Sequence, residues 1–181
     1  MSTPEKNQAI FFITGLLDAL NSLALYWKTY GGLRSLLGSL YFYLAGIATF
    51  FIIRYGNCCW NWAADTKQII SCTVGFSFAG YSLMLGMAGD KFIKIIKGQY
   101  DDGEQSPLME VAGAFTHFFI VQCITLLFSI FSAAFSSISD IYCRSIGVFL
   151  LCYSILMLIA TSLAALNFVS WYNDCDIDAE G

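Results

Sequence analysis

Four long stretches without a charged side chain constrain this chain more than any other feature of its 181 residues. They cover residues 36–53, 69–89, 111–135 and 146–171. Each is close to the length of about 20 residues with which an α-helix crosses the hydrocarbon of a bilayer. Since lipid offers no hydrogen-bond partners, the backbone there has to bond within its own segment. The pattern predicts an all-α, polytopic integral membrane protein with four transmembrane helices.

The composition agrees with a chain that faces lipid. Of its residues 57% are hydrophobic and 12% are charged, whereas soluble domains contain about 25% charged residues. The net charge of −4 and the sparse Lys and Arg residues exclude a nucleic-acid footprint, which needs a basic face. No repeat or linker divides the sequence, so residues 1–181 are interpreted as a single membrane domain.

A fifth apolar segment, residues 9–27, has a different character. Thr14, Asp18 and Asn21 share one helical face, while most of the bulky apolar side chains fall elsewhere. This pattern is typical of an amphipathic helix that lies in the membrane interface. The alternative is a fifth crossing, which would place the Asp18 carboxylate inside the bilayer at a considerable cost in free energy.

The distribution of Lys and Arg predicts the orientation, because cytoplasmic segments carry an excess of them. With four crossings, one side of the membrane holds Lys6, Lys28, Arg34, Lys91, Lys94 and Lys97. The other side holds Arg54, Lys67 and Arg144. We therefore expect a multi-pass protein of the inner (plasma) membrane whose loop 90–110 and acidic tail 172–181 are cytoplasmic. The loop is the largest polar segment between crossings, and it is the predicted surface for a cytosolic protein partner. The residues expected to form this surface are Lys91, Lys94, Lys97, Asp101, Asp102 and Glu104.

Two patterns of side chains suggest how the helices associate. The first is a face of small residues on the second predicted span, formed by Gly75, Ala79, Ser82 and Gly86. Such a face permits close helix approach, either within the monomer or in a homo-oligomer. The second is a polar stripe on the third span, formed by Gln122, Thr125, Ser129 and Ser132. Hydrogen bonds to neighbouring helices are the favoured interpretation of this stripe, and the lining of a pore is the alternative.

No combination of residues indicates catalysis, a cofactor or a metal ion. His117 is the single histidine and lacks a second ligand at helical spacing, so it is interpreted as a packing residue. Cys58, Cys59 and Cys143 fall on the predicted outer side, where a disulfide from Cys143 to either neighbour would be permitted. The absence of a C-x-x-C pair argues against a thiol oxidoreductase. The chain is therefore predicted not to be an enzyme.

The segment Gly75–Leu83, followed by a Lys-x-Ile-Lys extension and Gly98-Gln99-Tyr100, resembles small four-helix membrane proteins of prokaryotic anti-phage defence systems. The membrane subunit of the Kiwa system is the nearest example. The resemblance covers residues 70–135 and is one of pattern, without a diagnostic motif. It implies an oligomeric membrane sensor whose cytosolic partner carries the effector action. The alternative function is an oligomeric pore or a membrane-permeabilising effector.

Overall fold

A computed structural model describes residues 3–56, 60–87, 107–134 and 141–177. These residues are all-helical, as the sequence predicts, and no strand occurs among them. The helices are α1 Thr3–Tyr30, α2 Gly32–Gly38, α3 Leu40–Tyr55, α4 Trp62–Met87, α5 Pro107–Ala134 and α6 Ile141–Ile177.

The predicted number of four membrane spans is not confirmed. Three segments are long and apolar enough to cross a membrane: Ile10–Tyr30, Val111–Ala134 and Ile141–Ser170. A fourth is added if α2 and α3 together form one span. The two predicted spans at 111–135 and 146–171 correspond to α5 and α6. The predicted span 69–89 lies in α4, runs past the described end of that helix and is not among these candidates. The chain is consistent with a membrane protein that has three candidate spans, or four if α2 and α3 form one span.

The segment 9–27, expected at the interface, belongs to one of the three candidates. Its helix continues to Tyr30 and reaches 21 residues of spanning character. Its bulky side chains are exposed over the first turns, including Phe11 at 82% and Phe12 at 72%. The segment is therefore long and apolar enough to cross the membrane, which was the alternative to a position in the interface.

The predicted helix over residues 36–53 is broken near its start. Ser39 has an extended backbone with φ −72° and ψ 125°, and α2 and α3 meet there at an angle of 52°. Gly38 lowers the helical preference at this point. Serine is more favourable at the position that precedes a helix than in the interior of a helix. A hydropathy profile does not detect this break, because it reports the apolarity of a segment and not the continuity of its backbone.

The centre of the bundle lies between α3, α5 and α6, with α4 against α5 and α6. One cluster of buried apolar side chains consists of Ala45, Phe118, Val121, Tyr153 and Met157. A second cluster, Trp62, Ala63 and Val148, lies where α4 and α6 begin. A Cβ atom at Gly147 would overlap the ring of Trp62, so the close contact between α4 and α6 requires glycine there.

Helix α1 is attached to this bundle through its last turns. It packs on α5 and on the short α2. Gly31 and Gly32, with φ of 89° and 66°, form the turn that leads into α2. Such positive φ values favour glycine because other residues pay a steric penalty there. The Cβ position of Gly113 on α5 lies 2.9 Å from the Thr29 methyl group, so the two helices approach closely at this level.

Candidate functional site

A histidine–tyrosine cluster joins α1 to the bundle. The hydroxyl group of Tyr26 lies 2.6 Å from Nδ1 of His117, and Nε2 of His117 lies 2.9 Å from the hydroxyl group of Tyr153. The ring of Tyr30 stacks on the imidazole at 3.8 Å between centroids. A neutral imidazole donates through one nitrogen and accepts through the other. One tyrosine therefore donates a hydrogen bond to the ring and the other accepts one from it.

The cluster satisfies both nitrogens of a nearly inaccessible side chain. His117 is 4% exposed and Tyr153 is 3% exposed. A buried polar group without a partner costs about 1–3 kcal/mol, so the three side chains stabilise one another where α1, α5 and α6 meet. His117 thus packs as the sequence suggested. The residues described by the structure contain no group of three potential metal ligands.

Sequence reasoning missed the partners of His117. Tyr26 and Tyr30 lie one helical turn apart on α1 and could have been recognised as a pair of aromatic side chains on one face. Their contact with a histidine 91 residues away depends on the packing of α1 against α5. No local pattern carries that information.

The polar stripe of α5 points into the bundle. The side-chain amide of Gln122 donates to the Thr73 hydroxyl of α4 at 3.1 Å, and the Thr125 hydroxyl lies 2.9 Å from that of Ser154 on α6. Gln122, Thr125 and Ser129 are each at most 1% exposed, whereas Ser132 is half-buried. Within one chain Gln122 and Thr125 bond to neighbouring helices, and Ser129 bonds to its own helix.

The small-residue face of α4 points the opposite way. Its four members, Gly75, Ala79, Ser82 and Gly86, are all exposed. The residues of α4 that are buried against the bundle, which include Thr66, Ile70 and Ser77, lie on the other side of the helix. The Cβ positions of Gly75 and Gly86 meet nothing within 4 Å. No other helix among the described residues packs on this face.

Two of the predicted sites depend on residues outside the described ranges. The partner surface, Lys91 to Glu104, belongs to the segment between α4 and α5 that is not described. Cys143 is a free thiol at the start of α6, while Cys58 and Cys59 lie outside the described residues. The predicted disulfide and the predicted surface both stay predictions.

Comparisons with protein-family models, curated proteins and solved structures found no match. The side chains of the described residues present a hydrogen-bonded interior and, on α4, a face of small residues that is turned outward.

Proposed function

We propose that this chain is a non-enzymatic membrane subunit that forms a homo-oligomer through the small-residue face of α4. The supporting observation is that Gly75, Ala79, Ser82 and Gly86 are all exposed. Helices in lipid gain no hydrophobic free energy by associating, so close backbone approach at small residues is a main source of their affinity. No described residue of the same chain packs on this face. The same face on a second copy of the chain has a matching shape and can pack against it.

The test is the oligomeric state of Ala79→Leu in detergent, measured by light scattering coupled to size-exclusion chromatography. A leucine on the proposed contact should cost about 1–3 kcal/mol through overpacking and shift the protein toward the monomer. Ala133→Leu is the matched control, since Ala133 is an exposed residue on α5. A wild-type monomer, or an unchanged oligomer in Ala79→Leu, would contradict the proposal.

We further propose that the cytoplasmic loop 90–110 engages a cytosolic protein at the inner (plasma) membrane. The support comes from the sequence, which places Lys91, Lys94 and Lys97 beside an acidic patch in the longest polar segment between spans. Reversal of the three lysines to Glu should abolish recovery of the partner in pull-downs from detergent extracts. Arg34→Glu is the control, because Arg34 is an exposed cation in α2. Undiminished recovery would exclude this surface.

The resemblance to the membrane subunit of the Kiwa system makes anti-phage defence the proposed setting. In this setting the oligomer senses infection at the membrane and the partner acts in the cytosol. Cells that carry the gene with its genomic neighbours should plate phage less efficiently than cells with the Ala79→Leu variant. If phage plate equally well on cells with the wild-type gene and on cells with the Ala79→Leu variant, the oligomer has no role in defence.

A further inference from the structure

A cleft of about 520 Å³ lies between the end of α3 and the start of α6. Its walls on α3 are Gly46, Thr49, Phe50 and Ile53. Ile141 and Ser145 close it from the side of α6. Volumes of this size are ordinary for sites that bind small ligands.

The chemistry of the cleft changes along the helix axis. Arg54, in the last turn of α3, lines its outer end and is exposed. Gly46 lies eight residues earlier, which is about 12 Å deeper along the helix. Between them Phe50 is 63% exposed and forms an apolar wall. The Cβ position of Gly46 meets nothing within 4 Å, so the deep end has free space.

Among the described residues at this end of the bundle, cationic side chains outnumber carboxylates. The guanidinium group of Arg54 lies 5.5 Å from the centroid of the Tyr55 ring and forms no ion pair with a described residue. Lys67 and Arg144 lie within the first turns of α4 and α6, whose starts are near the end of α3. The carboxylate of Asp65 accepts a hydrogen bond from the Trp60 indole at 2.6 Å. An arginine beside an apolar trough at a membrane edge is complementary to a phosphate group with an attached alkyl chain.

We propose that this cleft binds one anionic glycerophospholipid from the adjacent leaflet. Its phosphate lies against Arg54 and one acyl chain follows Phe50 toward Gly46. The site is independent of the α4 face, because it is formed by α3 and α6. Failure of either proposal therefore leaves the other intact.

Native mass spectrometry of the purified protein in detergent, with equal amounts of phosphatidylglycerol and phosphatidylcholine, tests the headgroup. The wild type should retain one phosphatidylglycerol in preference to phosphatidylcholine. Arg54→Gln should lower this preference about fivefold, the effect of one cation near an anionic lipid. Arg34→Gln, which removes an exposed cation from α2, should leave it unchanged. An unchanged preference in Arg54→Gln would overturn the assignment of the phosphate.

Gly46→Leu tests the apolar part of the cleft. The larger side chain should fill the deep end and lower retention of both lipids, whereas Gly15→Leu on α1 should not. Gly15 is the matched control, since it is also a helical glycine with nothing within 4 Å of its Cβ position. Retention at the wild-type level in a folded Gly46→Leu protein would overturn the proposal.

Photo-crosslinking of the wild type gives a measurement that needs no variant. Phosphatidylglycerol with a diazirine in its acyl chain should label Gly46, Thr49 and Phe50 of α3. Excess inorganic phosphate should not suppress this labelling, because the chain contributes to binding. Labelling confined to other helices, or its loss in the presence of phosphate alone, would exclude a lipid in this cleft.

Discussion

At the scale of residues, the environment of His117 shows how one polar side chain is accommodated in an apolar helix. Tyr26 and Tyr153 bond to its two nitrogens, and Tyr30 covers one face of its ring. The identity of each group matters because a neutral imidazole needs one donor and one acceptor. Replacement of Tyr26 or Tyr153 leaves one buried nitrogen of His117 without its partner.

Tyr26→Phe is expected to lower the free energy of unfolding by about 1 kcal/mol. It removes the hydroxyl group that bonds Nδ1 of His117, and the net value of such a hydrogen bond is about 0.5–1.5 kcal/mol. Denaturation in detergent, followed by circular dichroism, measures the change. Tyr43→Phe is the control, since Tyr43 is 58% exposed and should change stability by less than about 0.5 kcal/mol. Equal effects of the two substitutions would argue that the cluster contributes nothing.

At the scale of elements, two close contacts between helices occur at glycine residues. Gly113 lets α1 approach α5 beside Thr29, and Gly147 lets α6 accept the ring of Trp62 from α4. Both contacts arise from small residues that a hydropathy profile treats as neutral. The glycines of the outward α4 face have open space at the same position, and this difference separates internal contacts from the proposed external one.

Gly147→Ala should destabilise the protein by about 1–3 kcal/mol through overpacking. Its new methyl group would overlap the indole of Trp62, so α4 and α6 would have to separate. Gly15→Ala is the control, because its Cβ position is open. In a double-mutant cycle, Trp62→Leu should offset part of the cost of Gly147→Ala, since contacting residues are not additive. Additive effects would place the strain elsewhere.

At the scale of the whole molecule, several polar side chains of α5 are buried while large apolar side chains of the same helix are exposed. Thr125 and Ser129 are buried, whereas Leu127 and Phe131 on the same helix are more than half exposed. A lipid environment explains this arrangement, because apolar side chains incur no penalty there and polar ones require partners. The buried polar side chains of α5 form hydrogen bonds between helices in the interior of the bundle.

Purified protein in liposomes is therefore expected to conduct no ions above the level of empty vesicles, as measured by a potassium-sensitive dye. Thr125→Val should lower stability by about 0.6 kcal/mol, the average value of a hydrogen bond between membrane helices. It should leave the flux unchanged. A conductance that Thr125→Val alters would instead support the pore that the stripe first suggested.

Much of the helical content followed from the sequence, because lipid permits few backbone structures. The two predicted spans at 111–135 and 146–171 lie in α5 and α6. The prediction of a continuous helix over 36–53 is wrong at Ser39, where the extended backbone after Gly38 interrupts the helix. The predicted number of four spans is not confirmed. Ile10–Tyr30 is apolar enough to cross although Asp18 lies within it, and a fourth span requires that α2 and α3 form one.

The sequence by itself determined that this chain is helical and apolar, because the length of its uncharged stretches is a local property. It also located the small residues of α4 and the polar residues of α5. Only the tertiary structure decided that the first set faces outward and the second inward, and that His117 lies between two tyrosines. These outcomes depend on which helices are neighbours and on how each is rotated, which is determined by the packing of all the helices together.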